Sequence, residues 1–208
     1  MTSAGISIGR IGLTALAAAA LLAGCAKPEI LLSRPAEVPV GVDLSGMWRL
    51  RADDSDGARR MRAAIRATDG VDDREIFSGP DRQQSGYGTR RSERRVKGGL
   101  VHVFLETGKS LKVTQTQFGL FISFDRAIVE EFRFGENRMI NVGEVQAQRV
   151  TGWEGEVLVV ETLDRNRMKL TERIRLVDNG AGLERLIILR SSKGEEETLV
   201  QRFDRQAD

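Results

Sequence analysis

The sequence predicts a mainly β protein: an antiparallel meander of about nine strands closing as a barrel or sandwich, with one short helix near its start. Three observations predict it. From Gly98 onward, short segments alternate apolar and polar residues with a period of two. Turn-forming clusters separate these segments at intervals of roughly ten residues. So many strands also leave two exposed edges unless the sheet curls or folds onto itself.

Before the strands comes an address. The first residues carry one charge, Arg10, and the run 11–22 is apolar apart from Gly12 and Thr14. That run is shorter than the roughly 20 residues a membrane-spanning helix needs. A charged start, a short apolar middle and small residues at the end describe an export signal, residues 1–24. Leu22-Ala23-Gly24-Cys25 resembles the lipobox of bacterial lipoproteins. The resemblance implies a diacylglyceryl group on Cys25, cleavage before it, and acylation of the new amino group with a palmitate-type chain. Three chains hold a protein at a bilayer permanently, since two already anchor stably. Ala26 follows the cysteine where aspartate retains such proteins at the inner membrane. The resemblance therefore implies the outer membrane, with the domain facing the periplasm. Cys25 is the single cysteine, so lipidation leaves no thiol for disulfides, metal binding or nucleophilic chemistry.

Removing 24 residues from 208 leaves 184, and the loss of Arg10 lowers the formal charge from +2 to +1. That length suits one domain with one core. The near-neutral balance and export together exclude nucleic acid as a partner. Pro28, Pro35 and Pro39 make 25–42 read as a semi-rigid lipidated tether, with the barrel-like domain over 43–208.

The domain opens on "DLSGMWRL", where Trp48 and Leu50 alternate with Arg49 and Arg51. Ser55 or Asp56 then caps a helix with Ala58, Met61 and Ile65 on one face, closed by Gly70. Residues 71–97 are polar and glycine-bearing, a long loop or a partly ordered excursion. A strand is expected where Val101, Val103 and Leu105 alternate with His102, Phe104 and Glu106. "SLKVTQT", "GLFISFD", "VEEFRF", "EVQAQRV", "EVLVVET", "MKLTERIRLV", "LERLIILRS" and "TLVQRF" follow as strands. Between them lie the turn signals "ETGKS", "FDRA", "FGEN", "DRNR" and "DNGAG". The Asn179-Gly180 step is the clearest, because asparagine and glycine accept positive φ in tight hairpins.

"DLSGMW", "WEGEVLVVET" and "KLTERIRL" together resemble a family of uncharacterised bacterial exported proteins. Its members pair an Asp-Leu-Ser-Gly-x-Trp opening strand with a Trp-x-Gly-x-x-Leu-Val-Val-Glu-Thr strand and a Thr-Glu-Arg strand. The resemblance spans about residues 43–205 and implies a lipocalin-like antiparallel β fold. It implies no activity.

The motifs that carry chemistry are missing. The single histidine, His102, stands alone in an expected strand, and no serine elbow, phosphate loop or metal-ligand spacing occurs. The sequence therefore reads as a non-catalytic protein without cofactor or metal. Glu172 falls in phase with the inward residues Met168, Leu170, Ile174 and Leu176. Arg185 falls in phase with Leu183, Ile187 and Leu189 on the next strand. An isolated buried charge is very costly, so the two are expected to pair, either as a structural element or to orient a ligand. Trp48 and Trp153 are candidates to close the barrel ends and to line the same ligand site.

Residues 58–97 carry ten arginines and one lysine against six acids, a local charge of +5. Arg59, Arg62 and Arg66 line one side of the expected helix, and Arg90, Arg91, Arg94 and Arg95 form a second patch. Such a basic face suits an anionic lipid surface or an acidic envelope polymer. Two function classes follow: an envelope interaction module working through its outer surface, and a carrier holding an apolar or amphipathic ligand inside the barrel. Abundant Val, Ile and Leu in the strands favour a filled barrel and hence the first.

Overall fold

A computed structural model describes residues 28–52, 54, 57, 59, 60, 63, 104–142 and 145–207. Ten strands run in chain order: β1 (Gly46–Leu50), β2 (Ser110–Gln115), β3 (Gly119–Phe124), β4 (Ile128–Arg133), β5 (Asn137–Val142), β6 (Val145–Glu154), β7 (Val157–Asp164), β8 (Lys169–Val177), β9 (Gly182–Arg190) and β10 (Glu196–Arg205). They form one antiparallel sheet in the order β4-β3-β2-β1-β10-β9-β8-β7-β6-β5. The mainly β class and the meander expected from the alternation are what the structure shows. The first strand inserts between β2 and β10 and so joins the two halves of the meander.

Two segments differ from expectation. "NRMINV", passed over beside the turn signal at Gly135, is strand β5, paired with β6 from Asn137↔Val150 to Val142↔Val145. Part of the strand expected over 101–106 is not one: Phe104 is helical and 105–108 irregular. Phe104, Leu105 and Glu106 are buried in succession, whereas a wall strand alternates between its two faces. They enter the interior as a plug. Of the expected short helix, Gly57, Arg59, Arg60 and Ala63 are helical, and its other positions lie outside the described residues.

Turn chemistry sets the hairpins. Asp125 and Arg126 take positive φ at β3–β4, Gly135 at β4–β5, Gly155 at β6–β7, and Asp178, Asn179 and Gly180 at β8–β9. The last three form a short 3-10 turn.

Side chains far apart along the sheet meet inside, which requires the sheet to curl into a wall around a core. The Arg185 guanidinium of β9 lies 5.1 Å from the Phe124 ring of β3. Phe134, just after β4, meets Trp153 of β6 edge-on at 5.2 Å. The wall is not closed by a ladder, because β4 and β5 are the two ends of the sheet. Their connecting turn is tied to β6 instead: Gly135 N donates to Thr151 O at 2.8 Å and Thr151 N to Glu136 O at 3.2 Å. The result is a seam between β4 and β5.

The segment read as a semi-rigid tether lies, from Glu29 on, against this wall. Leu31 packs with Val150 of β6 and Leu163 of β7 on the outer face. Its amide donates to Gln148 Oε1 at 2.9 Å, and Gln148 Nε2 returns a bond to its carbonyl at 3.1 Å. Trp153 N donates to Pro35 O at 3.0 Å. A side chain at Gly152 would collide with Arg34 and Pro35, so glycine is what permits the close approach. Val38 and Val42 pack against the core and Leu44 is wholly buried, so the segment runs from the outer face into β1. Proline spacing predicts extended chain and nothing about whether that chain finds a surface to cover.

Candidate functional site

Two apolar clusters fill the interior. One gathers Leu44, Trp48, Phe124, Phe132, Trp153, Phe203 and their neighbours. The other gathers Phe104, Leu105, Ala147, Leu170, Ile187, Leu189 and Leu199. Where a strand passes from one cluster to the other, the inward residue is polar. On β8 it is Glu172 between Ile174 and Leu170, on β9 Arg185 between Leu183 and Ile187, and on β10 Gln201 between Phe203 and Leu199. On β6 the intervening residues are Thr151 and Arg149, and Thr162 of β7 stands opposite Arg149. A polar belt therefore crosses the barrel from β6 to β10.

Half of the belt is saturated. Arg185 is 2% exposed and Glu172 3%. The cross-strand register sets Arg185 opposite Ile174 and Glu172 opposite Ile187, so the two are diagonal neighbours within side-chain reach. Arg185 Nε donates to Glu172 Oε2 at 2.7 Å, and Nη2 donates to the same oxygen. Nη1 donates to the Glu106 carbonyl at 2.8 Å and to Gln201 Oε1 at 3.2 Å. The expected pair is present, and its bonds run to groups of the protein itself.

Arg149 is different. It is 8% exposed, and its Nε donates to Thr162 Oγ1 at 3.3 Å. Its guanidinium lies 5.3 Å from the Phe104 ring and 5.5 Å from the Phe132 ring. Among the described residues it has no carboxylate partner. The contact with Phe132 places it where β4 meets β6, at the seam. Trp153 stands on the same inward row of β6, about 13 Å further along. Its buried indole Nε1 has no hydrogen-bond partner among the described residues. The row thus carries an unpartnered indole donor and a guanidinium with one hydrogen bond among the described residues. Arg149 escaped the sequence reading, though the signal was there: in "VQAQRVTGW" it shares its parity with Ala147, Thr151 and Trp153.

Trp48 joins Trp153 in the first cluster, but its indole is occupied. Nε1 donates to Leu44 O at 3.1 Å, and the Arg205 guanidinium lies 4.2 Å from the ring. Arg59 is exposed. Arg62, Arg66, Arg90, Arg91, Arg94 and Arg95 lie outside the described residues, as do His102 and Cys25. Among the described residues no group of three or more His, Cys, Asp or Glu side chains could hold a metal ion. Among them, too, no helix is long and apolar enough to cross a membrane.

Outside the wall, an open groove of about 320 Å³ is lined by residues 29–34 together with Glu161 and Lys169. Arg34 bridges Glu154 and Glu161, meeting the latter at 2.6 Å, while Lys169 also pairs with Glu161. Arg173 reaches Glu154 at 2.6 Å. Burial alone would push the Glu161 carboxyl up. The hydrogen bonds and charges of Lys169 and Arg34 outweigh it and hold the group below its ordinary 4.5.

No family model and no curated protein matches the chain. Among solved structures it is similar to human cRBP IV at 16% identity and a TM-score of 0.46, covering 79% of this chain and 99% of that one. A secretory abundant heat soluble protein from Ramazzottius varieornatus shares 12% identity at a TM-score of 0.45, over 78% of this chain and 95% of its own. The zebrafish ileal bile acid-binding protein, complexed with cholic acid, shares 10% identity at a TM-score of 0.39, over 78% and 98%.

Proposed function

We propose that the chain is a lipid-anchored, non-catalytic binding protein of the bacterial cell envelope, facing the periplasm, that takes a small acidic amphiphile at the polar belt of its barrel. The observation that carries the guest is Arg149. A buried cation without a carboxylate is expensive. Two aromatic faces return about 2 kcal/mol or somewhat more each when desolvated, less than the several kcal/mol that burying an ion costs, and one long bond to Thr162 adds little. An anionic headgroup supplies what is missing, through charge-assisted hydrogen bonds of about 1.5–3 kcal/mol. Apolar clusters on both sides of the belt suit a short tail. Phe104, which stacks on Arg149, belongs to a segment outside the sheet ladder, so it can yield to a guest without breaking the wall. Glu172 is committed to Arg185, so the belt offers a guest binding groups rather than a nucleophile and its base.

The anchor reading rests on Leu22-Ala23-Gly24-Cys25. Labelled fatty acid enters the full chain and not its Cys25→Ser variant; equal label in both refutes the anchor. For the guest, the chain from residue 25 carrying Cys25→Ser is titrated with dansyl-labelled undecanoic acid and with its methyl ester. The acid binds more tightly than the ester, and Arg149→Met removes that preference. A preference that survives Arg149→Met overturns the assignment.

A further inference from the structure

We propose that the strap formed by residues 28–34 is a membrane-contacting surface, which lays the outer face of β6–β8 on the bilayer that holds Cys25 and inserts Ile30 and Leu32 into its headgroup boundary. The proposal rests on the lipid anchor at Cys25.

A tether free over 25–42 would let the domain wander up to about 60 Å from its lipid. The strap is not free. Leu31 is buried beneath it, Asn137 Nδ2 donates to Ser33 Oγ at 3.0 Å, and Pro35 accepts from Trp153. Five residues separate Cys25 from Leu31, the first residue whose backbone is bonded to the wall, so the acylated residue lies within about 22 Å of docked backbone. With so short a link, the wall under the strap is the wall that meets the membrane.

The outward side of the strap suits that neighbour. Leu31 is 5% exposed, whereas Ile30 and Leu32 on either side of it are 67% and 75% exposed. Alternation sends the middle residue to the wall and its neighbours to the outside. The charges beside them are compensated: Glu29 pairs with Arg190 at 2.5 Å, and Arg34 with Glu154 and Glu161. Two protruding aliphatic side chains on a strap of paired charges fit the region about 5–10 Å deep where amphipathic segments settle. Phe121 and Val129 also protrude, but from β3 and β4 at the other end of the sheet order.

The test uses the acylated full chain reconstituted into vesicles of phosphatidylethanolamine and phosphatidylglycerol. Because Cys25 is taken by lipid, a thiol introduced by Ile30→Cys, Leu32→Cys, Phe121→Cys or Val129→Cys is the only one available for an environment-sensitive fluorophore. Probes at 30 and 32 shift to the blue and are quenched by acyl-brominated lipid, and probes at 121 and 129 do neither. Vesicle-bound chains whose probes at 30 and 32 stay unquenched, or are quenched no more than those at 121 and 129, overturn the proposal and leave the anchor standing. Chains that fail to float with the vesicles at all overturn the anchor, and the strap contact with it.

Discussion

Arg185 and Arg149 are both inside one barrel, on the same polar belt, three strands apart. Their surroundings make them different objects. Arg185 shares two hydrogen bonds with Glu172 and places its other donors on Glu106 and Gln201. Arg149 has one hydroxyl and two aromatic rings. Burial alone therefore does not say what a charge is for; the number of its donors that find acceptors does. A completed set stabilises one arrangement of the belt, and an incomplete one leaves donors that the proposed guest would engage.

The largest expected effect breaks the completed set. Glu172→Ala leaves Arg185 buried without its counter-charge, and such losses cost about 3–5 kcal/mol. Chemical denaturation of the chain from residue 25 carrying Cys25→Ser reads this as a lower midpoint. The double variant Glu172→Leu with Arg185→Met removes both charges and recovers most of the loss, because a buried ion pair and an apolar pair of similar volume are often equivalent. A single variant as stable as the parent shows that Arg185 has another counter-charge, and the contrast with Arg149 then collapses.

Arg149→Met sharpens the comparison from the other side. The charge removed is one whose burial its two rings and one hydroxyl do not fully offset, so unliganded stability does not fall and rises by about 1 kcal/mol. Loss of acid binding by about tenfold, worth about 1.4 kcal/mol, separates a binding group from a structural one. A drop in stability as large as that of Glu172→Ala makes Arg149 structural too.

Much of this was legible in advance, and the residues show why. Glu172 and Arg185 declared themselves because each interrupts a clean apolar parity, and a period of two says which face a residue shares. The meander followed from the same alternation, and the hairpin at Asn179 from its need for positive φ. Arg149 did not stand out because both parities of its strand are mixed: buried Val150 faces outward, under the strap. For the same reason β7, buried from Leu158 to Leu163 on both faces, reads as a core strand with nothing to indicate what covers its outside. The partner of that outer face is residue Leu31, more than a hundred positions away, and no local pattern carries such a contact. Phe104 and Leu105 mimic alternation over too few residues to separate a wall strand from a plug.

A third arginine gives the smallest and most easily titrated effect. Arg34 lies on the outer wall between two carboxylates, partly exposed, where solvent weakens each pair to about 1 kcal/mol or less. The Glu161 carboxyl is held below its ordinary 4.5, burial opposing the shift and Lys169 and Arg34 overcoming it. A carboxyl depressed in the folded state binds its proton more readily when unfolded, so unfolding gains protons as the pH falls. The stabilisation is fully present above 4.5 and is lost as the pH drops through the lower folded value. At neutral pH, Glu161→Gln therefore lowers the unfolding free energy slightly, on the order of 1 kcal/mol, which is read as a lower denaturation midpoint. The gap between variant and parent narrows below pH 4.5 and closes when both carry a neutral side chain. Salt narrows it as well at neutral pH, because these charges are partly open to screening, whereas the loss caused by Glu172→Ala is far less sensitive to salt. A Glu161→Gln deficit that persists in acid shows that shape, not charge, holds the strap at this point. The paired arginine outside the wall then differs from Arg185, whose place is held by its salt bridge.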